Sequence, residues 1–272
     1  MSIPVWAAKL QTMKYTLVFA LSSRQSLTEA IARRQISTLV NFNGGIVCPD
    51  KWGTSEPLKK PFDADDIEIP IRGLAKPHGD FFYRKGKPIQ LSGEIYNRTH
   101  PPIARFPSPL FTNYWVGRFD GKWVDRTGIR MVQGCVCEMF RVSDADFGFL
   151  TTELDMKAKN TREPILSFQG LTLDSGIPGL YWINFFSEGF AKWLDIYGFP
   201  KELAASKELV GGGVALEFCE SPGECRDIAV IQRQRTAIEW LGSEKFFDIH
   251  FPSRSATLPW DCIPIPNIKS SD

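Results

Sequence analysis

The chain has 272 residues, enough to bury a substantial core in one large domain or two smaller ones. Its 32 Lys and Arg nearly cancel its 31 Asp and Glu, so no global field draws it to nucleic acid or an anionic membrane, and an electrostatic partner must meet a local patch. No apolar run approaches the roughly 20 residues that span a bilayer, and six cysteines scattered over a chain of this size imply no disulfide framework.

Taken in order, residues 14–21 predict a first strand, because Tyr, Thr, Val and Phe suit a pleated surface. The competing reading is a short secretory leader, with Lys9 and Lys14 ahead of the apolar run; the strand is preferred. Ser26-Leu-Thr-Glu29 has the form of a capping box opening a helix over about 27–37. Residues 41–84 are repeatedly interrupted by Gly and Pro, too long for a plain loop, and should carry short strands or a function. Residues 87–96 alternate, with Ile89, Leu91, Gly93 and Ile95 on one face of a half-buried strand. The Pro-rich run 100–109 marks an internal boundary, and Asp120-Gly121 between two aromatic runs predicts a hairpin.

Beyond it, a strand over about 131–142 is expected to lead into a helix near Ser143-Asp-Ala-Asp146, and a strand over 179–186 into a helix after Ser187. Val214–Cys219 reads as a strand before Ser221-Pro-Gly-Glu224, a second capping box. The helix after it takes its apolar stripe from Cys225, Ile228, Ala229, Ile231, Ala237, Ile238 and Leu241 and ends at Gly242. These elements predict an α+β fold: a mixed, mainly antiparallel sheet with helices packed on its faces, in two closely packed halves, 1–105 and 110–272.

Motifs that carry chemistry are weak. Cys135-Val-Cys137 on a strand would aim both sulfurs to one face, yet a closed zinc site needs four ligands and no second pair lies near. Asp155-Met-Lys157 has the spacing of a nuclease acid and lysine but falls in a segment that reads as an exposed helical charge set. His78, His100 and His250 accompany no nucleophile elbow, and Gly211-Gly-Gly213 precedes a strand, where a phosphate loop would precede a helix. Asn97-Arg-Thr99 matches a glycosylation acceptor, which has no meaning in a cytoplasmic protein. Neither a catalytic residue nor a metal or other cofactor is expected. Four acids, Asp63, Asp65, Asp66 and Glu68, gather within six residues of the irregular region and form the candidate patch for a basic partner. Eight Trp and twenty Phe supply either a bulky core or an aromatic contact surface.

Pro178-Gly-Leu-Tyr-Trp-Ile-Asn-Phe-Phe186, the following helix through Trp193, and Gly211-Gly-Gly-Val-Ala-Leu-Glu-Phe218 resemble the closing half of bacterial polymorphic-toxin immunity proteins. Phe111 to Trp123 and Asp144-Ala-Asp-Phe-Gly-Phe-Leu150 are similar in style. The nearest likeness is to immunity family 52, whose members neutralise restriction-endonuclease-like toxins delivered by type VI secretion. A neighbouring family of type VI immunity proteins shares the Tyr-Trp-x-Asn-Phe pattern and is not separated from it. The resemblance implies a cognate protein toxin as partner, with a cytoplasmic location and a nuclease target if residues 14–21 are a strand. It implies no direct nucleic-acid contact and no membrane association. It transfers no site residue, because toxin-contacting positions diverge with the toxin. Oligomeric state stays open, a homodimer included. The alternatives are a hydrolase or nuclease whose carboxylates meet only on folding, and a structural scaffold.

Overall fold

The computed structural model describes residues 15–87, 89–100, 110–111, 113–120, 126–159 and 177–246. Its centre is β1 (Leu17–Ser23), buried along almost its whole length and paired on both edges, with β8 (Asn113–Phe119) on one side and β9 (Phe147–Thr152) on the other. One wing continues from β8 through β5 (Leu91–Tyr96), β4 (Asp80–Lys85), β2 (Lys51–Gly53) and β3 (Lys60–Pro61). The other continues from β9 through β10 (Ile183–Phe186), β12 (Val214–Glu217) and β11 (Ala205–Glu208). All nine pairings in this ten-stranded open sheet are antiparallel. A separate two-residue ladder joins β6 (Thr99–His100) to β7 (Leu110–Phe111). The fold is α+β, as the sequence predicts, with antiparallel pairing throughout the described sheet.

Helices α1 (Glu29–Asn41), α2 (Glu68–Ala75) and α3 (Arg126–Val142) form one layer, α1 touching both others. Phe140 of α3 packs on Phe185, with centroids 5.5 Å apart, which places this layer on the face that carries Leu17, Phe19, Leu21, Trp115 and Phe119. On the opposite face, α4 (Glu153–Lys159) packs against β9 and β1, and α5 (Glu188–Trp193) against β10. Helix α6 (Ile228–Leu241) is joined to α4 through Lys159 and Gln234.

Several local expectations need correction. Helix α1 is capped by Thr28, whose hydroxyl accepts from Ile31 N, so the cap lies two residues after Ser26. The segment 131–142 is helical: Val132, Cys135, Val136, Met139 and Phe140 are buried and recur at three- and four-residue spacing. Cys135 and Cys137 therefore point to different sides, the first buried and the second half-buried. Ser143–Asp146 is a turn, with Asp144 at positive φ, feeding β9 instead of a helix. The second half of the hairpin expected at Asp120-Gly121 lies outside the described residues, as does the Pro-rich run 101–109; β8 itself is flanked by β1 and β5. The stripe of α6 is Val230, Gln234, Ala237 and Leu241, with Ile228 exposed.

Other readings match. The irregular region carries β2, β3 and α2, and Ile89, Leu91 and Ile95 are buried in alternation. Ser187 caps α5, Ser221 caps a 3-10 segment over Pro222–Arg226 with Pro at its start, and Gly242 ends α6 at positive φ. Gly211 and Gly212, both at positive φ, turn β11 into β12.

In the middle of the first wing, Phe19, Gly117, Gly93 and Tyr83 lie in one cross-strand row. The two glycines give room to the flanking rings: a Cβ on Gly117 would sit 2.6 Å from the Phe19 ring, and one on Gly93 would clash with Tyr83 Oη. Tyr83 Oη in turn accepts from Trp115 Nε1 at 2.8 Å. Gly117→Ala is expected to cost about 1–3 kcal/mol by overpacking, measured by chemical denaturation.

Candidate functional site: an aromatic and charged face on one wing

The acidic turn lies between β3 and α2. Glu68 starts α2 and is held by Arg33 of α1, Nη2 donating to Oε2 at 2.9 Å, while the Arg33 guanidinium holds its carboxyl below the usual range. Asp63 Oδ1 accepts from Asp65 N at 3.0 Å, which fixes the turn. Asp63, Asp65 and Asp66 are exposed, and among the described residues none makes an ion pair. Lys51, Lys59 and Lys60 are exposed on the same edge of the sheet, with Lys60 Nζ 5.2 Å from the Trp52 ring. The structure thus leaves three free acids beside three lysines, and ties the fourth acid to the helical layer.

A second surface, which the sequence reading did not single out, covers the face of β4, β5 and β8 opposite α1–α3. Cross-strand partners set its pattern: Asp80, Tyr96 and Tyr114 in one row, Phe82, Glu94 and Val116 in the next, Arg84, Ser92 and Arg118 in a third. The Phe82 and Tyr96 rings meet edge to face at 5.9 Å, and the Arg98 guanidinium lies 4.7 Å from the Tyr96 ring. Arg98 is fixed from its other side by Asp80 at 2.5 Å. Apart from Val116, the first two rows are half-buried and mix aromatic with charged groups, unlike the apolar face behind them. The signal was present in the sequence: Phe82 and Tyr96 are large aromatics on the polar phase of alternating strands.

Glu94 sits in the middle of this face. Burial pushes its carboxyl above the ordinary range against the pull of a hydrogen bond with Tyr96; Asp80 and Glu56 add to the rise and Arg98 opposes it. Tyr96 is raised in turn, by burial first and then by Glu94.

Asp155 is not part of an exposed charge set. It is buried, accepts from Thr151 Oγ1 at 2.7 Å, and pairs with Lys159 at 2.9 Å. Lys159 Nζ also donates to Leu180 O at 2.8 Å and to Gln234 Oε1 at 2.9 Å, so its three protons are all engaged. Burial pulls the Lys159 ammonium below the ordinary lysine range, opposed by Asp155. This arrangement ties α4, the entry to β10 and α6 together, and Lys157 lies outside it. No three His, Cys, Asp or Glu side chains among the described residues group as metal ligands. His78 is an exposed turn residue at positive φ, the His100 side chain and His250 lie outside the described set, and the Asn97 amide is occupied by the carbonyls of Leu27, Leu74, Ala75 and Lys76.

Two measurements check these assignments. Lys159→Met leaves a buried carboxylate without its cation and should destabilise the fold by about 3 kcal/mol in chemical denaturation, with a smaller loss in Asp155→Asn/Lys159→Met than the sum of the single changes. Glu94 binds its proton more tightly folded than unfolded, so its contribution is complete below about pH 4.5 and lost as pH rises through the raised folded value. Glu94→Gln should therefore gain stability relative to the parent as pH increases from 4.5 toward neutrality, and an unchanged difference across that window would remove the assignment.

No helix among the described residues is long and apolar enough to cross a membrane. No protein-family profile and no curated protein matches the chain. Among solved structures, the fold is similar to that of a Pseudomonas aeruginosa T6SS protein, at a TM-score of 0.54 and 11% identity, over 85% of this chain and 74% of that one.

Proposed function

We propose that the chain is a type VI secretion immunity protein, which binds a cognate antibacterial toxin and neutralises it by occluding its active site or substrate path. The observation that carries the reading is the face around Tyr96. Tyr and Arg held in place by neighbours, with half-buried aromatic area and a charged rim, are the composition from which interface anchors are made. The fold likeness to a T6SS protein and the sequence resemblance to toxin immunity proteins support the same reading. In this proposal the chain performs no bond-breaking of its own, works in the cytoplasm, and has a nuclease as its target. Phe82, Tyr96 and Arg98 anchor the complex, while Asp63, Asp65 and Asp66 steer the encounter with a basic nucleic-acid channel and Glu68 keeps their turn on the helical layer.

The test uses the product of the adjacent toxin gene. Co-expression should yield a stoichiometric complex and restore growth to cells making the toxin. Tyr96→Ala or Arg98→Ala should weaken the complex tenfold or more through faster dissociation, whereas Asp65→Asn/Asp66→Asn should slow association at low salt and leave dissociation unchanged. A toxin that neither binds nor is neutralised rejects the proposal. Binding that survives every change on the β4, β5 and β8 face moves the interface elsewhere.

A further inference from the structure

The second wing contains a thiol pair that neither the fold nor the toxin-binding reading uses. Cys219 follows β12, and Cys225 lies in the 3-10 segment Pro222–Arg226; their Sγ atoms are 3.8 Å apart. This is the one thiol–thiol contact among the described residues, while Cys48, Cys135 and Cys137 are free elsewhere. Both ends are well anchored. The Cys219 carbonyl accepts from Trp182 Nε1 at 2.8 Å, and the turn between the thiols is capped by Ser221, whose hydroxyl accepts from Gly223 N.

We propose that Cys219 and Cys225 are a reversible dithiol–disulfide pair, closed by exchange with a low-molecular-weight disulfide. A disulfide needs its sulfurs at about 2.05 Å, so the two atoms, 3.8 Å apart, must approach by about 1.8 Å for the bond to close. Access sets the order of events. Cys219 retains 8% of its surface and Cys225 none, so Cys219 takes the first step. Its thiolate attacks one sulfur of glutathione disulfide and releases one glutathione. The Cys225 thiolate then attacks the Cys219 sulfur of the mixed disulfide and releases the second. Two protein thiols give up two protons and two electrons, and one glutathione disulfide becomes two glutathione thiols.

The contact with Cys225 and burial both raise the Cys219 thiol, so Cys219 rests protonated at neutral pH and its attack accelerates as pH rises. Cys225 Sγ lies 4.0 Å from Thr151 Oγ1, the hydroxyl that donates to Asp155, so closure fastens the 3-10 segment ahead of α6 to the residues just after β12, beside that buried tie.

The proposal does not depend on the toxin-binding reading and is tested on the full chain without substitution. The protein is incubated with excess glutathione disulfide at mildly alkaline pH, denatured, alkylated and digested with trypsin, which places both cysteines in the peptide 208–226. Two of the six thiols should be protected, and this peptide should be two hydrogens lighter, unalkylated, and restored by dithiothreitol. The oxidised chain should melt about 5 °C higher. The proposal is overturned if the peptide carries two alkyl groups after treatment, if Cys219 persists as a glutathione mixed disulfide beside a free Cys225, or if either cysteine is found bonded to another partner.

Discussion

The structure depends on β1 being paired along both edges. Every strand of one wing reaches the rest through β8, every strand of the other through β9, and the two contacts share the six residues Leu17–Ser22. The end of this seam is locked by charge. Arg24 donates from N, Nε and Nη2 to the Asp146 carboxylate at 2.8–3.0 Å, both side chains are buried, and the guanidinium stands 5.5 Å from the Phe190 ring. The Asp146 backbone is bound as well, its N–H to Ser22 O and its carbonyl to Ser187 N. A carboxylate so placed joins β1, β9 and α5 at one point, and removal of either charge would strand the other without water.

From this seam the two wings diverge in character. The β9–β10–β12 wing is packed from both sides, with Phe140 of α3 on Phe185 at one face and, at the other, Phe147 against Phe149 and Phe186 and Phe149 stacked on Tyr181. The β8–β5–β4 wing is apolar behind, where Trp52, Phe81 and Tyr83 stack in series, and mixed in front, where Asp80, Glu94 and Arg98 stand among aromatic rings. A half-buried charged face raises the energy of an isolated fold, in line with the upward displacement of the Glu94 carboxyl by burial.

Much of this was legible in the sequence where local chemistry decides. Alternation found β5, Ser187 and Ser221 marked helix starts, and the triple glycine marked the β11–β12 turn. Errors arose where distant residues decide. The segment 131–142 is rich in Val, Cys and Phe, which favour strands, and only its three- and four-residue spacing against the sheet reveals the helix. Asp155 and Lys159 have the spacing of an ordinary exposed helical pair; Gln234, 75 residues further on, helps make them a buried one. The acidic turn was visible as composition, but the attachment of Glu68 to Arg33 across 35 residues was not. The meaning of the aromatic face lies in rows across three strands, which no single strand displays.

The position of β1 also governs the order in which a growing chain can assemble. Its first edge is filled by β8, so the β1–β8–β5–β4 wing is complete in sequence once residue 119 has emerged from the ribosome. The opposite edge must then wait for β9 at 147–152, and the sheet beyond it for strands ending at 217. Over that interval a nascent chain presents a central, apolar strand edge that the finished protein never shows, and pairing with a neighbouring nascent chain there would compete with correct closure.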